Sequence, residues 1–254
     1  MPCILHEPAI ELVVELQAAS RRKYEHAPNS LPRDALFIIT HDAVRVHRAI
    51  GSLSDAGWAG PGAALLRTLL DLIVSSLAIV NSASPPMAAF RYLYSGFRRH
   101  SRDQDLPATA RRNMFDQIRI RLRLLPDALR HEAIAVVREK DRPYWFCPEF
   151  PSPTAVLKAF APPGMDWTYL QLSGTAHGTF FGLRLYREEP DLISINPDVV
   201  GRRATILDLS SSHLLVQLLR IRNVAEELGL DGQIDAFTQR SNAIAESIRR
   251  GPAV

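Results

Sequence analysis

Arg67, Asp71 and Ser75 lie four apart in the most apolar stretch of the chain, and Tyr169, Ser173 and His177 repeat that spacing further on. Side chains four apart share one face of a helix, so each triplet forms a polar stripe, and the two stripes could meet in space. The planar fork of Arg67 suits a phosphate or carboxylate, with Asp71 holding the guanidinium in place. His177 titrates where proton transfer at neutral pH needs it, and Ser173 or Tyr169 would orient a leaving group or a water. That makes His177, Arg67 and Asp71 the catalytic candidates, and Tyr169 and Ser173 the binding candidates. A buried hydrogen-bond network that fixes helix register needs the same residues, because Arg and Asp withdrawn from water are costly unless paired. Both readings stay open at this level.

A basic stripe is the second candidate. Arg112, Arg119 and Arg123 share a helix face, and Arg98, Arg99, Arg102, Arg111 and Arg121 are near in sequence, against only Asp103, Asp105 and Asp116. With Arg98, Arg112, Arg119 and Arg123 as binding candidates, such a stripe could track a nucleic-acid backbone or meet an acidic partner. Phe115 is the one aromatic among them, fewer than single-strand binders usually stack against bases, so a solvated or internally paired face competes with this reading. Arg130 extends the stripe only if the helix stays in phase through Pro126.

Several chemistries have no sequence support. The histidines are scattered, with no His-Glu-x-x-His, no clustered carboxylates and no Cys/His ligand spacing, so no metal site is expected. There is no Gly-rich phosphate loop, no Gly-x-Ser-x-Gly elbow and no dinucleotide fingerprint, so no cofactor is expected either. Cys3 and Cys147 stand alone, which argues against a disulfide framework and for a reducing compartment. The amino terminus lacks the basic region and cleavage site of an export signal, so a cytoplasmic location is expected. A net charge of +3 with 22% charged residues is a mild basic bias that permits nucleic acid without implying it.

Elements to position these residues follow from apolar spacing of three to four, with little period-two alternation. Helices are expected over Pro8 to His26, Pro32 to Asp55, Ala63 to Asn81, Pro85 to His100, Pro107 to Lys140 with a break at Pro126, Ala155 to Phe160, Met165 to Arg187, Asp208 to Leu228, and Asp231 to Arg249. The fold class is all-α, a single-domain bundle of about eight to nine helices across residues 1–254, with a short β-hairpin near 192–207. Ala63 to Val80 has the length of a membrane span, but Arg67 and Asp71 inside it mark a central core helix. The aromatic, proline-rich run DRPYWFCPEFPSP at 141–153 reads as a loop covering part of the core, with a lid as the alternative. Trp167, Tyr169, Tyr92, Tyr94 and Phe97 are expected in the core.

The pattern Gly62-x2-Leu65-x-Arg67-x3-Asp71, followed by Tyr169-x3-Ser173-x3-His177-Gly178, resembles a bacterial family, domain of unknown function 5677, over residues 35–225. An N-terminal helix and a C-terminal helix pair flank that region. The resemblance implies an all-helical fold loosely similar to the HEPN class of nucleotide- and RNA-associated domains, with signature positions at Arg67, Asp71, Tyr169, Ser173 and His177. Asp71 stands where that family generally has Glu, which shortens the reach by one methylene. Catalytic HEPN proteins resemble one another in an Arg-x4-6-His motif, and only Arg21-x4-His26 matches it here, in a polar helix end.

Three functions follow as expectations. One is a HEPN-like protein of a bacterial defence or toxin-type system that binds or acts on RNA or a nucleotide. Another is a non-catalytic module for an anionic ligand or a protein, its Arg-Asp-His cluster being structural. The third is an accessory enzyme of specialised metabolism with a pocket between helices. A homodimer is expected from the apolar surface such a bundle leaves over.

Overall fold

The structure is a computed structural model that describes residues 30–56, 58–95, 107–138, 145–161 and 163–176, with isolated helical positions at Glu11, Val14, Glu15, Ala18, Ala236, Gln239, Arg240, Ala243 and Glu246. These residues form an all-α fold of seven helices with no strand among them. His177, Arg98, Phe97, the expected hairpin at 192–207 and the helix at Asp208 to Leu228 lie outside the described residues.

Helix α1 (Leu31–Asp55) starts where the Ser30 hydroxyl accepts from the Arg33 amide at 3.5 Å and Pro32 occupies the first turn. One stripe of it, including Leu31, Ala35, Ile39, Ala43 and Ile50, is buried. A short turn then reverses the chain, and α2 (Ala59–Val80) packs along α1. The helix begins four residues earlier than the Gly60-Pro61-Gly62 run suggests. Pro61 falls in the first turn, where a missing N–H removes no helical bond, and the Gly62 amide already reaches the Trp58 carbonyl at 3.2 Å.

Helix α2 is central among the described helices. Leu66, Leu69, Leu70, Val74, Ala78 and Ile79 are all fully buried, on more than one face. The stretch Pro61–Val80 is long and apolar enough to cross a membrane, yet 67% of its most apolar window is buried inside the protein, as a core helix requires. Asn81 closes it, with both its amide and its side chain donating to the Leu77 carbonyl.

Paired prolines open α3 (Pro85–Tyr94), which buries Met87 through Phe90. Helix α4 (Ala108–Arg123) buries only Ile118, and α5 (Asp127–Arg138) buries Ala133 and Val136. Between them Leu125 plugs into the core, and Pro126 prevents the helix from continuing. Arg130 consequently turns back: Nε donates to the Leu122 carbonyl at 3.3 Å and Nη2 to the Arg123 carbonyl at 3.5 Å, capping α4 rather than extending its arginine stripe.

From Trp145 on, the aromatic segment packs against the core. Phe146 and Cys147 are buried, the Tyr92 and Phe146 rings meet edge-on at 5.3 Å, and Phe150 meets Phe160 at 5.6 Å. Glu149 fastens the segment to the α2–α3 corner by accepting from the Ser82 hydroxyl at 2.6 Å and the Ala83 amide at 2.8 Å. Such anchoring is that of a core cover rather than a lid. Helix α6 (Pro153–Phe160) follows a Ser152 cap, and Gly164, at φ 89°, provides the left-handed residue from which α7 (Met165–Ala176) starts.

Among the described residues two apolar clusters form the interior. The larger joins the start of α1, the C-terminal half of α2, and α3, α5, α6 and α7. The smaller joins the rest of α1 to the N-terminal half of α2, and Leu72 and Leu172 pack against both.

Candidate functional site

Helix α7 crosses α2 so that the two polar stripes meet. Arg67 Nε donates to Ser173 Oγ at 2.7 Å, across 106 residues of sequence. Its Nη1 is ion-paired with Asp71 Oδ1 one turn along α2. The Tyr169 hydroxyl donates to the same carboxylate oxygen at 3.0 Å, and the Arg67 guanidinium carbon lies 3.5 Å from the centroid of the Tyr169 ring. Ser173 completes the arrangement by donating its own proton to the Tyr169 carbonyl at 2.9 Å. Four of the six residues in the two stripes, Arg67, Asp71, Tyr169 and Ser173, therefore form one cluster, and His177 lies outside the described residues. Ser75 does not join, because its hydroxyl donates to the Asp71 carbonyl at 2.8 Å within its own helix.

Burial divides the cluster sharply. The Arg67 side chain is 11% exposed and Tyr169 is buried, whereas the Asp71 side chain is 51% exposed at the rim. Arg67 has given Nε to a hydroxyl, Nη1 to a carboxylate and its flat face to an aromatic ring. That geometry is a clamp between α2 and α7: the charge of Arg67 is neutralised inside the protein, and Tyr169 and Ser173 fix the rotation of α7.

The basic stripe has a different character. Arg112, Arg119 and Arg123 all stand in solvent on α4; Arg119, 75% exposed, is only loosely matched to Asp116 at 3.5 Å. Arg121 points the other way and is consumed internally, its Nη1 lying 2.5 Å from Asp34, whose side chain is 6% exposed. Burial pushes the Tyr94 phenol up, and the positive charge of the same Arg121 offsets part of that rise, so one guanidinium on α4 acts on both Asp34 of α1 and Tyr94 of α3. Local spacing does not reveal this pair. Its only sequence sign is Asp34 in the first turn of α1, which a helix N-terminus alone explains.

Two expectations need correction. Trp167 is 64% exposed rather than in the core, since α7 turns Tyr169 inward and leaves Trp167 and Leu170 outside. Tyr92 and Tyr94 are only partly buried, packed at the edge of the larger cluster. Glu149, which holds the aromatic segment in place, drew no attention in the sequence because nothing near it is periodic. Among the described residues no three His, Cys, Asp or Glu side chains gather as a metal site would need.

No protein-family model, curated protein or solved structure matches the chain. The functional reading accordingly rests on the geometry of its own residues.

Proposed function

We propose that this protein is a helical RNA-binding module whose ligand lies along α4, with the Arg67 cluster serving to hold the bundle in shape. The observation that carries the reading is α4 itself. It is a sixteen-residue helix with one buried residue, Ile118, and it sets Arg112, Arg119 and Arg123 in solvent along one face. Arginines left facing water on a shared stripe are placed to release counterions from a phosphate chain. The contrast with Arg67, Arg121 and Arg130 supports this, because each of those is engaged with protein atoms. A cytoplasmic setting belongs to the same proposal.

Fluorescence anisotropy with a labelled RNA across a salt series tests it. Three phosphate contacts on a single strand give a log–log salt slope of about −2, which lowers affinity roughly twentyfold between about 50 and 200 mM salt. Replacing Arg112, Arg119 and Arg123 by Ala should flatten that slope, while Arg67→Met leaves it unchanged. Salt-independent binding, or binding indifferent to the triple replacement, refutes the proposal.

A second reading keeps chemistry at the cluster, and the half-exposed carboxylate of Asp71 favours it. An RNA-degradation assay of His177→Ala and Asp71→Ala beside the wild type decides: cleavage lost in both replacements makes the protein an enzyme, and no cleavage by the wild type removes that option.

A further inference from the structure

We infer that Asp116, set within the arginine stripe of α4, reads a base: its carboxylate receives the Watson–Crick edge of an unpaired guanine while Arg112, Arg119 and Arg123 hold the phosphates around it. The inference rests on the RNA reading above and names its ligand class. Asp116 follows Arg112 by four residues and precedes Arg119 by three and Arg123 by seven, so all four belong to one face of the helix. It is the one acidic residue of α4. Its side chain is 49% exposed, and its pairing with Arg119, itself 75% exposed, is a single approach of one carboxylate oxygen to one guanidinium nitrogen at 3.5 Å. Pairs so open to water contribute little to stability. A negative charge in the middle of the stripe also weakens its attraction for a phosphate chain, so backbone binding alone gives Asp116 no use.

What a carboxylate offers and an arginine does not is acceptance, since the ionised group has two oxygens and no donor. Guanine presents two adjacent donors on its Watson–Crick edge, the ring N1–H and the exocyclic amine, and these match the two oxygens as a bidentate pair. Adenine and cytosine present one amino group beside a ring nitrogen that accepts. Uracil presents one imino group between two carbonyls, whose oxygens a carboxylate repels. A duplex hides this edge in its base pairs, and the deep major groove of an RNA helix admits no side chain, so the ligand is a single strand. Along the helix Asp116 lies about 6 Å from Arg112 and about 4.5 Å from Arg119. That is the scale of one nucleotide step, so a base held at Asp116 has its own backbone within reach of both arginines.

The experiment measures short uridine strands whose central position is guanine, inosine, adenine, cytosine or uracil against wild type, Asp116→Asn and the triple arginine replacement. Wild type should bind the guanine strand about tenfold more tightly than the all-uridine strand. Inosine, which lacks the exocyclic amine, should fall between them. Asp116→Asn should lose that preference and at the same time bind the all-uridine strand more tightly, because the charge opposing the phosphates is gone. A role confined to pairing with Arg119 moves the preference in neither direction. Equal affinity of wild type for all five strands, a preference for another base, or a guanine preference that survives in Asp116→Asn overturns the base-reading role. The RNA reading stands in those cases as long as the triple arginine replacement weakens binding. No binding to any strand overturns both. Binding to poly-glutamate in place of RNA overturns both in favour of an acidic protein partner. Circular dichroism of each variant confirms that the helices are retained, which the exposed and loosely paired Asp116 allows.

Discussion

Removing either half of the Arg67–Asp71 pair should destabilise the protein unequally, and the more exposed partner should matter more. In Asp71→Ala the guanidinium of Arg67 stays where it is, 11% exposed, with its counter-charge gone. Breaking a buried pair from one side costs about 3–5 kcal/mol, and the half-solvated position of Asp71 puts this case near 3 kcal/mol. In Arg67→Met the stem volume is retained, Asp71 hydrates freely at 51% exposure, and the Tyr169 hydroxyl can still donate to it. What disappears is a charge-assisted bond to Ser173 and the stacking on Tyr169. Against the gain from burying an apolar side chain, that leaves a loss of about 1–2 kcal/mol. For a chain of this size each kcal/mol moves Tm by about 2–4 °C, so the expected drops are about 10 °C for Asp71→Ala and about 5 °C for Arg67→Met. The double replacement removes the stranded charge and should melt above Asp71→Ala alone. Thermal and urea unfolding of the three variants supply the test. A double variant no more stable than Asp71→Ala, or Arg67→Met as the worse single change, refutes the clamp.

Two further expectations concern other buried groups. Burial, helped by the nearby carboxylate of Glu149, pushes the Cys147 thiol up to about 11. The folded protein therefore keeps a proton that the unfolded chain releases from about pH 9 upward, so stability is unaffected below that range and falls as pH rises through it, by about 1.4 kcal/mol at about pH 10. Urea midpoints of wild type and Cys147→Ala at both ends of the range check this, and an identical pH dependence in the two proteins refutes it. Arg121→Ala strands Asp34, whose side chain is 6% exposed, and should cost about 3–5 kcal/mol while hydrogen exchange accelerates across 108–123. Exchange in α4 that stays at the wild-type rate rules out the tether.

Much of the cluster was legible because the rule behind it is local. Residues four apart share a helix face whatever the rest of the chain does, so Arg67 with Asp71 and Tyr169 with Ser173 were readable as stripes. The α4–α5 break at Pro126 was readable for a similar reason, since a missing N–H acts within a few bonds, whereas the Ser30 and Ser152 caps emerge only in the structure. Trp167 shows where such rules stop. Helix α7 is apolar on two sides, Trp167 and Leu170 on one and Met165, Tyr169 and Leu172 on the other, and periodicity does not rank them. Arg130 makes the same point: its role depended on the direction in which the chain left α4, which a few residues around Pro126 do not specify.

The helical class, the central place of α2 and the membership of each polar stripe thus follow from the order of residues, because backbone geometry turns spacing directly into direction. Which stripe faces which does not follow. The bonds from Arg67 to Ser173 and from Tyr169 to Asp71 span 106 and 98 residues, and they exist because Leu172 and its neighbours bury α7 against α2 in a single rotation. The same packing separated the arginines, drawing Arg121 inward to Asp34 and leaving Arg112, Arg119 and Arg123 in water. Arginines of one composition acquired opposite roles because burial, a property of the assembled bundle, determines whether a charge must find a partner within the protein or remains available to one outside it.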